Sequence, residues 1–223
     1  TFYSYSGNSG NINIGNPAII KGDFNIMPIA GNYPFVFEVP LILVDNAAAI
    51  NVKSNATLVI EPGRSDPFRT LIQGCDEMWK GVNVETGGRL IFTEVTVKDA
   101  QMGIQALPGV RSVKVTESTF GENNLGVVIR PNAAMNNIIL QDNRFSASGN
   151  FLPYFFGQSP VPFEKKGFCG IYAEGVTSGI NTPLNIGGGT VNGLHYGIIT
   201  KNTAAYISGI VFDDMKGGRA LPS

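Results

Sequence analysis

Residues 80–106, KGVNVETGGRLIFTEVTVKDAQMGIQA, contain one complete unit of a repeat and the start of the next. The unit opens near Gly81, after which valines alternate with polar residues. The same phrase returns as MGIQA at residues 102–106. Alternation with a period of two predicts short β-strands with one buried face, and its return at a fixed interval predicts a solenoid.

Two phrases recur in each unit. The first is KGVNV, MGIQA, LGVVI, CGIYA and YGIIT, with glycines at Gly81, Gly103, Gly126, Gly170 and Gly197. The second has two alternating apolar residues and a third one five positions later. Its members are Leu90, Phe92 and Val97; Val113, Val115 and Phe120; Ile138, Leu140 and Phe145; Leu184, Ile186 and Val191; and Ala205, Ile207 and Phe212.

Several short strands in a repeat of about 22 residues, without a helical period, predict an all-β fold. Each repeat cannot bury its apolar edge alone, whereas parallel strands stacked about 4.8 Å apart close a continuous core. The crossover rule for parallel strands favours a right-handed coil. The chain is therefore predicted to be a right-handed parallel β-helix. The LxxLxLxxN phrase of leucine-rich repeats is absent from it.

The repeat also sets the predicted domain boundaries. Its spacing extends backward to Ile50, Val52, Leu58 and Ile60. We therefore predict the β-helix over residues 41–223. Residues 1–40 contain strand-like stretches outside the repeat, and we expect an irregular N-terminal turn or cap there.

Two stretches are longer than the repeat allows, one near residues 61–71 and one at residues 146–168. The second, called the long excursion below, is too rich in aromatic residues for plain disorder. Gly218 follows Phe212 by the usual interval, so another coil is predicted to begin as the sequence ends. Exposed strand edges are normally capped or paired. We therefore expect either continuation beyond residue 223 in a longer parent chain or a partner protein on this end.

The composition excludes several classes of function. Only 15% of the residues are charged and the net charge is −1, which argues against the basic face of a nucleic-acid-binding protein. No apolar run reaches the length of a membrane-spanning helix. The 2 cysteines match no zinc spacing, and the single histidine leaves little room for a histidine metal site or a serine triad.

Three short stretches stand out within the repeat, together with the returning Gly-Ile pair. They are WKGV at residues 79–82, GGRL at 87–90 and DA at 99–100. They resemble the right-handed β-helix modules of large secreted and cell-surface proteins of the Bacteroidetes type, within the pectate-lyase-like superfamily. The resemblance covers roughly residues 41–223 and implies an extracellular or cell-surface location. Such modules serve as enzymes, adhesins or spacers, so the resemblance implies a fold rather than an activity.

Residues that hold the same position in successive repeats of a solenoid lie above one another in stacked columns. Glu94, Glu117 and Asp142, here called the acidic column, lie two residues after the strand pair on three consecutive coils. Stacking would place neighbouring carboxylates about 5 Å apart, in the range used by glycosidases. These residues are the candidate catalytic groups, and their oxygens would also suit calcium. The alternative is that they are ordinary outward-facing turn residues. Asp99 and Glu122 form a second stacked pair.

Aromatic residues are the candidate ligand-binding groups. Trp79 either stacks on a sugar or packs over a turn. The aromatic residues of the long excursion would form the wall of a glycan groove, dock another subunit, or fold back onto the β-helix as a satellite core. The candidates there are Tyr154, Phe155, Phe156 and Phe163.

Cys75 lies six residues before Gly81, in the column that Val97 and Phe120 occupy elsewhere. It is therefore expected to point inward as a small hydrophobic residue. Cys169 belongs to a different column three coils later. The two are thus predicted to lie too far apart for the roughly 7 Å limit on bridged Cα atoms.

Three functions follow from these patterns. The favoured one is a non-catalytic extracellular β-helix module that acts as a surface scaffold, an adhesin or a subunit of a larger assembly. Its partner would be a protein or further β-helix coils at the C-terminal end, and it would need no cofactor. The first alternative is a polysaccharide lyase or glycoside hydrolase that uses the acidic column. The second is a carbohydrate-binding module without turnover.

Overall fold

Three parallel sheets build the protein. The computed structural model describes residues 11–12, 17–29, 31, 33–62, 69–131, 133, 137–149, 152, 167–175 and 183–215. They form 23 strands in sheets of 8, 8 and 7 strands, and consecutive strands fall to the three sheets in rotation. Each circuit of three strands is one coil of a parallel β-helix. No helix among these residues is long and apolar enough to cross a membrane.

The strands of each sheet are as follows. Sheet A contains β1 (Asn11–Ile12), β4 (Phe35–Phe37), β7 (Thr57–Ile60), β10 (Arg89–Thr93), β13 (Ser112–Thr116), β16 (Ile138–Gln141), β19 (Leu184–Gly187) and β22 (Ala205–Ser208). Sheet B contains β2 (Ala18–Ile20), β5 (Leu41–Val44), β8 (Leu71–Gly74), β11 (Thr96–Lys98), β14 (Thr119–Gly121), β17 (Arg144–Ser146), β20 (Thr190–Asn192) and β23 (Val211–Asp213). Sheet C contains β3 (Phe24–Ile26), β6 (Ala49–Val52), β9 (Gly81–Val84), β12 (Met102–Ala106), β15 (Leu125–Ile129), β18 (Cys169–Glu174) and β21 (Tyr196–Lys201).

The strand register confirms the predicted repeat. Val82 pairs with Ile104, 22 positions later. In sheet B, Val97 pairs with Phe120. The inward residues of the central coils are fully buried and form one continuous apolar core. Burying each such side chain contributes roughly 1.5–3 kcal/mol, which is what holds the coils together.

The recurring glycines lie where a backbone carbonyl of the next coil, an aromatic ring or both come close to the chain. A Cβ atom added to Gly103 would stand 2.9 Å from the ring of Phe120, and one added to Gly126 would stand 2.6 Å from the ring of Phe145. Both rings belong to the core, at inward positions of sheet B. Glycine is therefore required in this column because a backbone carbonyl of the next coil, a core ring or both occupy the space of a side chain.

The first coil of the β-helix lies partly within residues 1–40, where an irregular N-terminal turn or cap with strand-like stretches was expected. Strands within this range join the same three sheets. β2 pairs with β5, β3 with β6 and β4 with β7, all in parallel register. Phe24 aligns with Ile50 in this register, so the inward column continues into the first coil although its spacing differs from that of later coils.

Both predicted excursions fall between strands of the regular coils. The first lies between β7 and β8, and the long excursion lies between β17 and β18. Residues 63–68 of the first, and residues 150–151 and 153–166 of the second, lie outside the described residues.

Cys75 does not occupy the inward column that the sequence predicted. Ile72 pairs with Val97 and fills that position. Cys75 follows β8 and is partly exposed. The prediction was wrong because the turn from β8 to β9 is longer than the corresponding turns, so counting back from Gly81 reached the wrong residue. Cys169 is buried, and both cysteines are free.

Candidate functional site

The acidic column lies at the corner where sheet A leads into sheet B. Glu94 joins β10 to β11, and Glu117 and Asp142 hold the same position on the next two coils. The amide of Glu94 donates to the carbonyl of Thr116 at 3.0 Å, and the amide of Glu117 donates to that of Gln141 at 2.9 Å. These bonds stack the three acidic residues on consecutive coils.

All three acidic residues have a left-handed backbone. Their φ angles are 55° at Glu94, 52° at Glu117 and 54° at Asp142. Residues other than glycine adopt this conformation at a cost, and short polar residues tolerate it best. The next two coils place Gly188 and Gly209 at this corner, with φ of 62° and 64°. The geometry of the corner therefore accounts for the spacing of the acidic column.

Two arginines lie beside the acidic column. The Nε atom of Arg69 is 3.5 Å from a carboxylate oxygen of Glu94. An open depression of about 300 Å³ is lined by Arg69, Glu117, Ser118, Thr119, Asp142 and Arg144. Sequence reasoning missed Arg69 because it follows the first excursion, outside the repeat. Arg144 lies within the repeat, two residues after Asp142.

The surface of this depression is open and carries both signs of charge. Glu117 and Asp142 are exposed, and Glu94 is partly exposed beside Arg69. Exposed ion pairs contribute roughly 0–1 kcal/mol because water screens them. Ligand sites usually enclose most of the ligand surface, which an open corner of this kind does not do.

The described residues contain no group of three or more histidine, cysteine, aspartate or glutamate side chains that could hold a metal ion. Glu94, Glu117 and Asp142 therefore do not form such a group.

Trp79 is fully buried, so its ring offers no face to a sugar in this structure. Its Nε1 atom donates to the carbonyl of Lys98 at 2.8 Å, and its backbone pairs with Ala100 on the next coil. The side chain closes the corner between sheets B and C. A buried tryptophan needs a partner for its N–H group, and the adjacent coil provides one. The other binding candidates, Tyr154, Phe155, Phe156 and Phe163, lie outside the described residues.

Buried asparagines support the corners, a feature that the sequence reasoning missed. Asn123 donates to the carbonyl of Val97 at 2.9 Å and accepts from the amide of Ala100 at 2.7 Å. Asn143 makes an equivalent pair of bonds at the corner between sheets A and B. Each asparagine directly follows an acidic residue with positive φ. The pairs Glu122-Asn123 and Asp142-Asn143 were the signal in the sequence.

The fold and this corner define the class of the protein. It is a parallel β-helix with an apolar interior and an open, mixed-charge depression on one edge. In comparisons with protein-family models, curated proteins and solved structures, nothing matches the chain. The strand topology alone therefore defines the fold.

Proposed function

We propose that this chain is a non-catalytic β-helix module of an extracellular or cell-surface protein, and that it acts as a scaffold, an adhesin or a subunit of a larger assembly. The observation that carries this proposal is the C-terminal end of the described β-helix. Inward positions that are buried in the preceding coil lie open there.

The exposed fractions of directly paired residues differ between the last two coils. Ile186 is 3% exposed, and its neighbour Ile207 on the next coil is 45% exposed. Val191 is 1% exposed, and its neighbour Phe212 is 49% exposed. Apolar residues at the core positions of a coil are stabilising only when another layer covers them.

The backbone at this end supports the same proposal. β21, β22 and β23 are the last strands of the three sheets, and each has one edge without a partner among the described strands. Unpaired strand edges are templates for pairing with another chain. At the opposite end, the inward residues Ile20 and Ile26 are buried, and Ala18 and Phe24 are only partly exposed. The C-terminal end is therefore the surface that suits a further β-coil or a partner protein with an apolar face.

The test is a cleavage assay on a panel of acidic and neutral polysaccharides, with and without calcium. New reducing ends and unsaturated products are followed. We expect no cleavage. Cleavage that is lost in Glu117→Gln, and retained in the exposed control Lys114→Gln, would make the acidic column an active site and overturn the proposal.

A second candidate function is carbohydrate binding, which the arginines beside the acidic column favour. Arg144 and Arg69 would pair with carboxylates of an acidic glycan in the depression. Isothermal titration with the same panel tests this. Binding without cleavage, abolished by Arg144→Gln and unaffected by Lys114→Gln, would establish a carbohydrate-binding module.

A further inference from the structure

Four amide side chains form a row on the outward face of sheet C and are here called the amide ladder. Asn25, Asn51, Asn83 and Gln105 lie on β3, β6, β9 and β12 and pair directly from one coil to the next. The residues on either side of each of them belong to the apolar core or pack against it. Because side chains alternate along a strand, the amide ladder lies outside the core.

Each amide of the ladder donates to the coil before it. The Nδ2 atom of Asn51 donates to Oδ1 of Asn25 at 3.0 Å, and Nδ2 of Asn83 donates to Oδ1 of Asn51 at 2.9 Å. With the amide of Gln105 turned so that its nitrogen faces Asn83, it donates to Oδ1 of Asn83 at 3.1 Å. The oxygen of Gln105 then accepts from Nε of Arg130 at 2.6 Å. The result is one chain of side-chain hydrogen bonds, in which each bond polarises the next.

The amide ladder can form only when its strands stand in one alignment. Asn51 has a partner on both sides and is only 9% exposed, so water has little access to its amide. A buried polar group that loses its partner retains the full cost of leaving water. An alignment that separates the amides is therefore less stable than the native one, even where the backbone pairing of the sheet is kept.

The amide ladder crosses two junctions at which the coil length is irregular. Asn25 and Asn51 are 26 positions apart, and Asn51 and Asn83 are 32 positions apart. Asn83 and Gln105, by contrast, are separated by the 22 positions of the regular repeat. The longest junction contains the first excursion and the long turn from β8 to β9. Equal turn lengths therefore do not fix the alignment of β3, β6 and β9.

Apolar alternation does not fix this alignment either. A shift by one residue turns the apolar side chains of a strand outward, and burial excludes it. A shift of β9 by two residues against β6 brings Val84 opposite Ile50 and keeps both side chains inside. On the outward face, the same shift removes the amide partner of Asn83. It also separates Glu85 from Lys53, whose Nζ atom lies 2.6 Å from the Glu85 carboxylate in the native alignment.

We propose that the amide ladder is a register lock, which holds β3, β6 and β9 in one alignment where coil length and apolar pattern leave a second one open. A polar side chain with a single set of partners fixes the register of some coiled coils in the same way, at a cost in stability. Here the lock acts between coils of unequal length. The inference concerns the fold and does not depend on the proposed function.

NMR spectroscopy of the full chain tests the register lock. The triple variant Asn25→Val/Asn51→Val/Asn83→Val removes the ladder at both irregular junctions, and valine already holds this outward position on β15, as Val128. We expect a second set of amide signals for residues 81–84, with about a tenth of the intensity and with cross-strand contacts that place Val84 beside Ile50. The unaltered chain should show one set. A single native set in the triple variant would overturn the proposal.

The matched control is Asn185→Val, which removes an exposed outward amide on β19 that lies between Ile139 and Tyr206 rather than between other amides. It should keep a single set of signals, and doubling of residues 81–84 in this variant would contradict the lock.

Two further measurements keep the test decisive if the triple variant does not fold. Asn83→Val alone breaks the ladder at the longest junction and should also double the signals of residues 81–84. Asn51→Ala and Asn83→Ala, measured alone and together by urea unfolding, should be coupled. The folding equilibrium constant of the double variant should fall about fivefold less than the product of the two single losses. Independent losses, or a single set of signals in Asn83→Val, would refute the register lock.

Discussion

Glu94, Glu117 and Asp142 share a left-handed backbone at one corner of the β-helix, and this shared backbone explains why they are spaced like a catalytic group. The sequence correctly predicted that they stack on consecutive coils. It did not show that Gly188 and Gly209 occupy the same corner on later coils, with the same left-handed backbone. A column of acidic residues can therefore result from a turn that repeats, without selection for chemistry.

Glu117→Gly tests this explanation at the residue scale. Relief of the left-handed conformation, at a cost of roughly 1–2 kcal/mol for a non-glycine residue, should exceed the entropic penalty of glycine, about 0.4–1 kcal/mol. We expect Glu117→Gly to raise the free energy of unfolding by about 1 kcal/mol in urea titrations. The matched variant Glu117→Val should lower it, because a β-branched residue fits this conformation poorly. Equal losses in both variants would contradict the explanation.

The sequence could not determine the orientation of the Trp79 and Cys75 side chains. Both precede Gly81 in a turn that is longer than its counterparts, and their orientation depends on how that turn folds. The partner of the Trp79 N–H group is a backbone carbonyl, that of Lys98, which belongs to the next coil. Any residue provides a backbone carbonyl, so no pattern of residue types reveals this contact.

At the scale of strands, the sequence predicted most where successive coils have equal lengths. From β9 to β17 the alternation gave both the strands and their partners. Where a turn is longer than its counterparts, as between β8 and β9, the count from the nearest glycine lost the register. In the first coil the spacing differs, so the sequence indicated strand-like stretches there without assigning them to the repeat. Register follows from local spacing only while each turn keeps the same number of residues.

The glycine column provides the prediction at this scale. A Cβ at Gly126 would contact the ring of Phe145 at 2.6 Å and the backbone carbonyl of Gly170. Gly126→Ala should therefore lower the free energy of unfolding by about 2–3 kcal/mol, because a packed core resists added volume. Gly121→Ala is the matched control, since its nearest neighbour would be a side-chain carbon of Lys98 at 3.8 Å. Denaturant unfolding of both variants measures the difference, and a loss of the same size at Gly121 would refute the steric argument.

For the whole molecule, stability is expected to accumulate from coil to coil, because each coil covers the apolar positions of the one before. The central described coils bury their inward residues, Ala18 and Phe24 of the first coil are partly exposed, and Ile207 and Phe212 at the C-terminal end are exposed. The spacing from Phe212 to Gly218 predicted that a further coil begins here, and Gly218 lies outside the described residues. The exposure of Ile207 and Phe212 required the structure, because burial depends on whether a neighbouring layer is present.

The matched pair Ile186 and Ile207 tests whether the C-terminal end is open in solution. The two residues pair directly, so they share one inward column and differ in what covers them. Ile186→Asn should lower the free energy of unfolding by more than about 3 kcal/mol, because it removes buried apolar volume and buries an unpaired amide. Ile207→Asn should change it by less than about 1 kcal/mol. Sedimentation velocity should show less concentration-dependent association for Ile207→Asn than for the unaltered chain, because an apolar end favours contact between molecules. Equal losses of stability would mean that Ile207 is already covered, and the C-terminal end would then not be the free surface on which the proposed function depends.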